Sequence, residues 1–295
     1  MMPGSNKESA FNIQVDFEVG RMDEKIFKKF CSIAYEKAGI NLKEGKEALV
    51  SARVSKRMRS LRIDDIRDYV HYLENDDSGT ELVHFLDAIS TNFTHFYREK
   101  DHFDYLESKV KEWLAAGQKR FRIWSAASSS GEEPYSIIMT MLDLLEGRNS
   151  EFKLLATDIS TKILAKAIEG LYDSERIDPV PKAQRNKYMV KIKAESEEDG
   201  VLYQMNDRAK ENVVFKRLNL SQPPFPMKGP LDVVFCRNVM IYFDREVRQR
   251  LISEIERLLK PGGVLMIGHT ETLAGIQTGL KIVSPPIYYK RDAGL

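Results

Sequence analysis

The chain is 295 residues long, with 42% hydrophobic and 30% charged side chains. At roughly 150 residues per domain this length suggests about two domains. The composition excludes a mostly disordered, collagen-like or membrane-embedded polypeptide. Against 44 acidic side chains, 45 Lys and Arg leave a formal net charge of +1. That is too little for wholesale coating of nucleic acid, although it is compatible with a local basic patch.

No stretch approaches the roughly 18 apolar residues that a bilayer span needs. Residues 1–20 read as a flexible N-terminal segment without the continuous apolar run of a secretory signal. The expected location is therefore the cytoplasm, with no membrane insertion. Cys31 and Cys236 are too isolated for a disulfide framework or a CxxC metal site, and packed thiols are expected. The five histidines show no HExxH spacing; His95 and His102 are read as ordinary side chains, and no metal is expected.

Residues 21–89 read as an all-helical domain. Apolar side chains recur at helical spacing, first at Ile26, Phe27, Phe30, Ile33 and Ala34, then at Leu61, Ile66, Tyr69, Val70 and Leu73. The turn formers Asn75, Asp76, Asp77, Ser78 and Gly79 follow, with Thr80 expected to cap a helix carrying Leu82, Val83, Phe85, Leu86 and Ile89. From residue 90 to 295 the pattern becomes short apolar runs at 121–126, 152–157, 213–218, 231–236 and 263–268. Helical stretches at 135–145, 162–168 and 245–259 separate them. Buried parallel strands alternating with helices predict an α/β doubly wound sheet. Residues 188–193 and 201–205 flank the acidic stretch Glu195, Ser196, Glu197, Glu198, Asp199, so a β-hairpin is predicted within an insertion at about 186–211. Residues 280–290, with Ser284, Pro285 and Pro286 between two extended runs, predict a closing antiparallel hairpin.

A doubly wound sheet binds ligands beyond the carboxyl ends of its strands. After the first strand come Ser125 to Ser130, Gly131, Glu132, Glu133 and Pro134, with no GxGxxG. Two carboxylates at a helix N-terminus repel the phosphate that its amides would attract. A ligand with a positive group fits better, unless the two merely complement the helix dipole. The second strand ends at Asp158, suited to accept hydrogen bonds from two ribose hydroxyls or, alternatively, to cap the next helix. A ribose without phosphates points to a nucleoside, and S-adenosylmethionine is one with cationic amino and sulfonium groups.

Several long motifs occur in order: Thr91-Asn92-Phe93-Thr94-His95-Phe96-Tyr97-Arg98-Glu99, then Trp124-Ser125-Ala126-Ala127 leading to Gly131-Glu132-Glu133-Pro134-Tyr135-Ser136. Ala156-Thr157-Asp158-Ile159 follows, then Phe235-Cys236-Arg237-Asn238-Val239-Met240-Ile241-Tyr242-Phe243-Asp244, Leu259-Lys260-Pro261-Gly262-Gly263 and Gly268-His269-Thr270-Glu271. Together they resemble the chemotaxis receptor methyltransferase family, CheR, from about residue 22 to 291. The resemblance implies a small helical domain joined to a Rossmann-like S-adenosylmethionine methyltransferase domain. It also implies transfer of methyl to glutamate side chains on the cytoplasmic helices of chemoreceptors, with S-adenosylhomocysteine as product. By motif match it implies cofactor contacts at Asn92, Thr94, Arg98, Glu133, Asp158, Asn219, Leu220, Arg237 and Asn238.

The chemistry of those side chains agrees. The planar fork of Arg98 suits the methionyl carboxylate and Glu133 suits the amino group. Asn219 can bond the adenine edge while Leu220 packs on its face, or Asn219 can serve as a loop cap. An ionised glutamate is already a nucleophile, so the main demand on the site is alignment. Tyr242, and Arg98 or Arg237, are candidates to position the incoming carboxylate, with a core role for Tyr242 as the alternative. Between residues 48 and 63 stand Arg53, Lys56, Arg57, Arg59 and Arg62 without an acidic residue. A solvated face is the default reading of such a run, whereas the resemblance implies docking of acidic receptor helices. The acidic hairpin loop departs from the glycine-rich loop of members that dock on a receptor pentapeptide tether, so independence of a tether is expected. The competing readings are methyl transfer to another protein or a nucleic acid, and a regulatory module that binds the nucleoside without turnover.

Overall fold

The computed structural model describes residues 22–90, 93–193 and 200–291. Helix α1 (Glu24–Ala38) starts where Asp23 accepts the Ile26 amide at 2.7 Å and stops at Gly39 in the left-handed conformation. It is followed by α2 (Glu47–Leu61), α3 (Ile66–Glu74) and α4 (Thr80–Ile89). Their apolar faces meet in one cluster in which Phe30 stacks on Phe85 at 5.3 Å, both fully buried. Burying each ring contributes about 1.5–3 kcal/mol. Thr80 is not the cap of α4. It is the first helical residue, Gly79 stands at the cap position in a left-handed conformation, and Asp76 Oδ2 accepts the Glu81 amide.

Next come α5 (Asp101–Ala115), β1 (Arg120–Ala126), α6 (Glu132–Leu144), β2 (Glu151–Asp158), α7 (Thr161–Glu169), β3 (Leu171–Asp173), α8 (Lys182–Tyr188), β4 (Met189–Lys193), β5 (Val201–Met205) and α9 (Asp207–Lys210). The chain continues through β6 (Val213–Arg217), β7 (Leu231–Cys236), a 3-10 turn at Met240–Tyr242, α10 (Arg245–Leu258), β8 (Leu259–Ile267), β9 (Lys281–Ser284) and β10 (Ile287–Tyr289). The large sheet runs β6-β2-β1-β7-β8-β10-β9, parallel as far as β8 and antiparallel through β10 and β9. All five predicted parallel strands are present, and the Pro-containing hairpin closes one edge. Every residue of β7 is buried, which is why it reads as an unbroken apolar run around Asp232.

The inserted hairpin forms as β4 and β5, and β3 adds a third strand that the sequence reading did not anticipate. At three residues, β3 is too short to show a period. The acidic loop proposed to distinguish this hairpin spans residues outside the described ones.

Strand order reverses at β1, which sends the chain outward through β2 to β6 and then back across to β7 and β8. Ser125 and Ala126 lie opposite Phe235 and Cys236. The loops leaving β1 and β7 therefore adjoin at the sheet rim, where this topology places a ligand crevice.

Candidate active site

A cavity of about 310 Å³ opens at that rim, within the usual range for small-molecule sites. Thr94, Arg98, Glu133, Asp158, Arg237, Asn238 and Tyr242 line it, so the fold brings together seven of the predicted site residues. Ile40, Ser90 and Phe93 add to the wall from the helical side and the connecting segment, and Ile241 from the turn after β7. Asn92 lies outside the described residues.

The two acidic residues opening α6 have separate environments. Glu132 turns away from the cavity onto Arg176 Nη1 (2.7 Å) and the Ser130 hydroxyl (2.6 Å). Glu133 faces it, accepting from the Ser125 hydroxyl at 2.7 Å and from Arg237 Nη1 at 2.9 Å. Gly131 makes this helix start possible. It has φ +100°, and a Cβ there would come within 2.7 Å of the Tyr172 hydroxyl and 3.1 Å of Ala167 Cα.

Arg237 is the hub of a buried triad. Its Nη2 donates to Glu99 Oε2 at 2.9 Å and to the Arg98 carbonyl, and its side chain is only 2% exposed. Two carboxylates on one guanidinium leave a formal charge of −1. Burial pushes the Glu133 carboxyl upward, opposed by the Arg237 charge. Burial also acts on Glu99, but there the charge and hydrogen bonds of Arg237 prevail and its carboxyl lies below the usual range.

Asp158 ties two loops. Its Oδ2 accepts the Ser129 amide at 2.9 Å and its Oδ1 the Ser160 amide at 3.0 Å, while burial raises its carboxyl. The cap of α7 is Ser160, which accepts from the Ile163 amide at 3.0 Å. The Arg98 guanidinium donates to the Phe93 carbonyl at 2.9 Å and lies 6.0 Å from the centre of the exposed Phe93 ring. Tyr242 borders the cavity and also packs against the helical core, while its carbonyl accepts from the Asn41 amide at 2.8 Å.

Backbone strain gathers here. Of six non-glycine residues with positive φ among the described residues, Tyr97, Glu99, Ala127, Ser129 and Asn238 lie on segments forming the site, and Arg62 is remote. Such conformations cost about 1–3 kcal/mol each and persist where the surroundings hold them.

Other predicted residues are committed elsewhere. Asn219 donates from Nδ2 to the Lys37 carbonyl at 2.7 Å and accepts from the Ser221 amide and hydroxyl, so it is a loop cap that also joins the two domains. Leu220 is buried in the cluster with Trp124 and Phe225, and neither lines the cavity. Of the basic run on α2, Arg57 is bound to the buried Glu81, with Nε 3.0 Å from Oε1, and is not an open docking cation. Arg53 Nη1 donates to the carbonyls of Ile89 and Ser90, whereas Lys56 and Arg59 are exposed.

Two functional carboxylates escaped the sequence reading. Glu99 was quoted in a motif but given no role, although it follows Arg98 directly. Glu271 accepts the amides of Asn238 (2.8 Å), Met240 (2.8 Å) and Gly268 (2.6 Å), fixing the loop after β7. The available signal was the absence of a side chain at Gly268, where a Cβ would come within 2.9 Å of Glu271 Oε2. Glu99, His102 and His269 present ligand atoms within 4.8 Å of one another. Glu99 is already engaged by Arg237, whose positive charge opposes a cation at that point.

A rim crevice at the strand-order reversal, in which Glu133 and the strand-end Asp158 stand beside Arg98 and Arg237, fits a nucleoside with a zwitterionic tail. The residues therefore suit S-adenosylmethionine, and the fold is that of a Rossmann-like methyltransferase domain preceded by a helical domain. Residues 92–289 match the family model for the CheR methyltransferase SAM-binding domain, and residues 25–90 match the CheR methyltransferase all-alpha domain. The chain belongs to the CheR methyltransferase family and is an S-adenosylmethionine-dependent methyltransferase of chemotaxis.

It is 35% identical over 293 residues to the chemotaxis protein methyltransferase of Borreliella burgdorferi, covering 97% of this chain and 99% of that one. It is 34% identical to the chemotaxis protein methyltransferase of Escherichia coli, covering 89% of each chain. The probable chemotaxis protein methyltransferase of Rhizobium etli is 40% identical, covering 82% of this chain and 90% of that one. Among the described residues, no helix is long and apolar enough to cross a membrane.

Proposed function

We propose that the enzyme methylates glutamate side-chain carboxylates on the cytoplasmic helices of chemoreceptors, giving glutamate methyl esters and S-adenosylhomocysteine. The observation that carries this reading is that Glu133, paired with the buried Arg237, faces the same cavity as Asp158 and Arg98. When bound, S-adenosylmethionine supplies an electrophilic methyl on a sulfonium that departs as a neutral thioether.

The protein's part is positioning. Asp158 takes the ribose hydroxyls, held in place by the amides of Ser129 and Ser160. Glu133 takes the methionyl ammonium, and Arg98 the methionyl carboxylate. Asn238, Thr94 and Asn92 complete the grip on the cofactor. Arg237 holds both neighbouring carboxylates in place. No general base is needed, because a glutamate above its pKa already carries the attacking lone pair. Tyr242 and Arg98 hold that carboxylate at the cavity mouth, and holding the reactants in line there is where the rate gain arises.

Lys56 and Arg59 are the exposed members of the basic face that meets the substrate, with Arg53 beside them. Residues 21–89 and 90–295 are taken as a receptor-docking domain and the methyltransferase domain, with residues 1–20 an N-terminal segment outside both. Independence of a pentapeptide tether is kept as part of this reading on the strength of the acidic loop sequence. Saturable micromolar binding of such a peptide to the hairpin would remove it. No nucleic-acid substrate is expected, and a cytoplasmic location is consistent with the absence of a spanning helix among the described residues.

The decisive assay is transfer of labelled methyl from S-adenosylmethionine to receptor cytoplasmic fragments. Base-labile label on glutamate supports the reading. A base-stable product on another protein or nucleic acid, or tight cofactor binding with no turnover, would replace it.

A further inference from the structure

We propose that the substrate docking site is a two-walled cleft whose second wall is α7 of the methyltransferase domain, with Lys162 and Lys166 gripping an acidic helical segment opposite α2. This rests on the reading of the substrate as a receptor helix and names the surface that holds it.

A groove of about 620 Å³ runs between α2, α4 and α7, lined by Arg53, Lys56, His84, Lys162 and Lys166 around Asp87. Lys162 and Lys166 are exposed and stand four residues apart on α7, so their Cα atoms are separated by about 6 Å along the helix. Arg53 and Lys56 stand three apart on the opposite wall. A helical partner with carboxylates at three- and four-residue steps presents acid to both walls at once.

The groove leads to the chemistry. Ser90 lines both the groove and the rim cavity, so a segment lying between the walls continues toward Tyr242 and the cofactor site. On the groove floor, both carboxylate oxygens of Asp87 are buried, so its charge is withdrawn from the partner surface, and burial raises its carboxyl. The surface facing outward is therefore basic on a chain whose net charge is only +1. A local field of that kind favours encounter with an acidic partner. No Phe, Tyr or Trp ring lines the groove, so it lacks the large stacking platforms that single-stranded nucleic acid uses, which favours a peptide.

The test uses the full chain with Lys162→Glu and Lys166→Glu combined. The expected result is a rise of roughly tenfold or more in KM for a receptor cytoplasmic fragment and a shallower salt dependence. The kcat, the affinity for S-adenosylmethionine and the melting temperature should stay unchanged, and Lys162→Arg with Lys166→Arg should restore the KM. An unchanged KM overturns the proposal. Binding of a labelled acidic helical peptide, followed by anisotropy without turnover, separates this proposal from the glutamate reading. If the lysines are needed for the peptide but receptor fragments gain no base-labile methyl, the reaction assignment fails and the cleft stands. Equal peptide binding by both proteins, or tighter lysine-dependent binding of a single-stranded oligonucleotide, overturns the cleft as a protein-docking site.

Discussion

Arg237 Nη1 donates to Glu133 Oε2 at 2.9 Å, and the guanidinium that makes this bond is shared with Glu99 and almost fully buried. Removing the cation would leave two carboxylates facing each other in a poorly solvated site. Arg237→Met is therefore expected to destabilise the fold by about 3–5 kcal/mol in denaturant titrations. Arg237→Lys should recover only part of this, because an ammonium cannot reproduce the fork that reaches both acids and the Arg98 carbonyl. Equal stability of Arg237→Met and the parent protein would show that the triad does not organise the site.

Asp158 lines the rim cavity and also ties Ser129 to Ser160. Losing a charged acceptor for two ribose hydroxyls is expected to weaken S-adenosylmethionine binding by roughly tenfold to a hundredfold in Asp158→Ala, read by calorimetry. Asp158→Asn keeps one acceptor oxygen and should fall between the two. Unchanged affinity in both variants would remove the ribose assignment.

The contrast between Arg237 and Glu99 shows what was legible in the sequence. Strands β1, β2, β6, β7 and β8 announce themselves because buried parallel strands demand apolar runs, and Asp158 can be found because it sits at a strand end. Glu99 cannot be found this way. It gains its meaning from a guanidinium 138 residues further on, and no local period encodes that meeting. The same limit applies to α2. Helical spacing correctly groups its basic side chains, yet only the packed domain reveals that Glu81 of α4 takes Arg57 out of the set. Asn219 shows a different limit. Its chemistry suits a ligand edge, and only the packed domains reveal that Nδ2 also donates to the Lys37 carbonyl.

That division of the basic face is open to measurement. Glu81 is 1% exposed and accepts from both Arg57 and the Tyr69 hydroxyl, the latter at 2.7 Å. Arg57→Ala strands this carboxylate and is expected to cost about 3–5 kcal/mol of stability. Lys56→Ala, on an exposed side chain, should change stability by less than about 0.5 kcal/mol. Activity should divide the other way at low salt, with Lys56→Ala raising the KM for the receptor fragment while the melting temperature stays constant. If Lys56→Ala lowers stability as much as Arg57→Ala, the assignment of one to docking and the other to the fold is wrong.

His102 provides a pH test of the framework behind the triad. It is fully buried, neither ring nitrogen is hydrogen-bonded, and Glu99 Oε2 is 3.5 Å from Nδ1. Burial, reinforced by the Arg237 charge, lowers its pKa to about 4, against the opposing pull of Asp101 and Glu99. Between about pH 6.5 and 4 the unfolded chain thus binds a proton that the folded chain refuses. The stability associated with a neutral His102 is fully present above about pH 6.5 and is lost as the pH falls toward 4, by up to about 3 kcal/mol. Denaturant midpoints measured across this window should decline with acid in the parent protein and decline less in His102→Leu, whose buried side chain has no proton to gain. Parallel declines in the two proteins would mean that His102 titrates as it does in the unfolded chain, and that the pocket beside Arg237 is open to water.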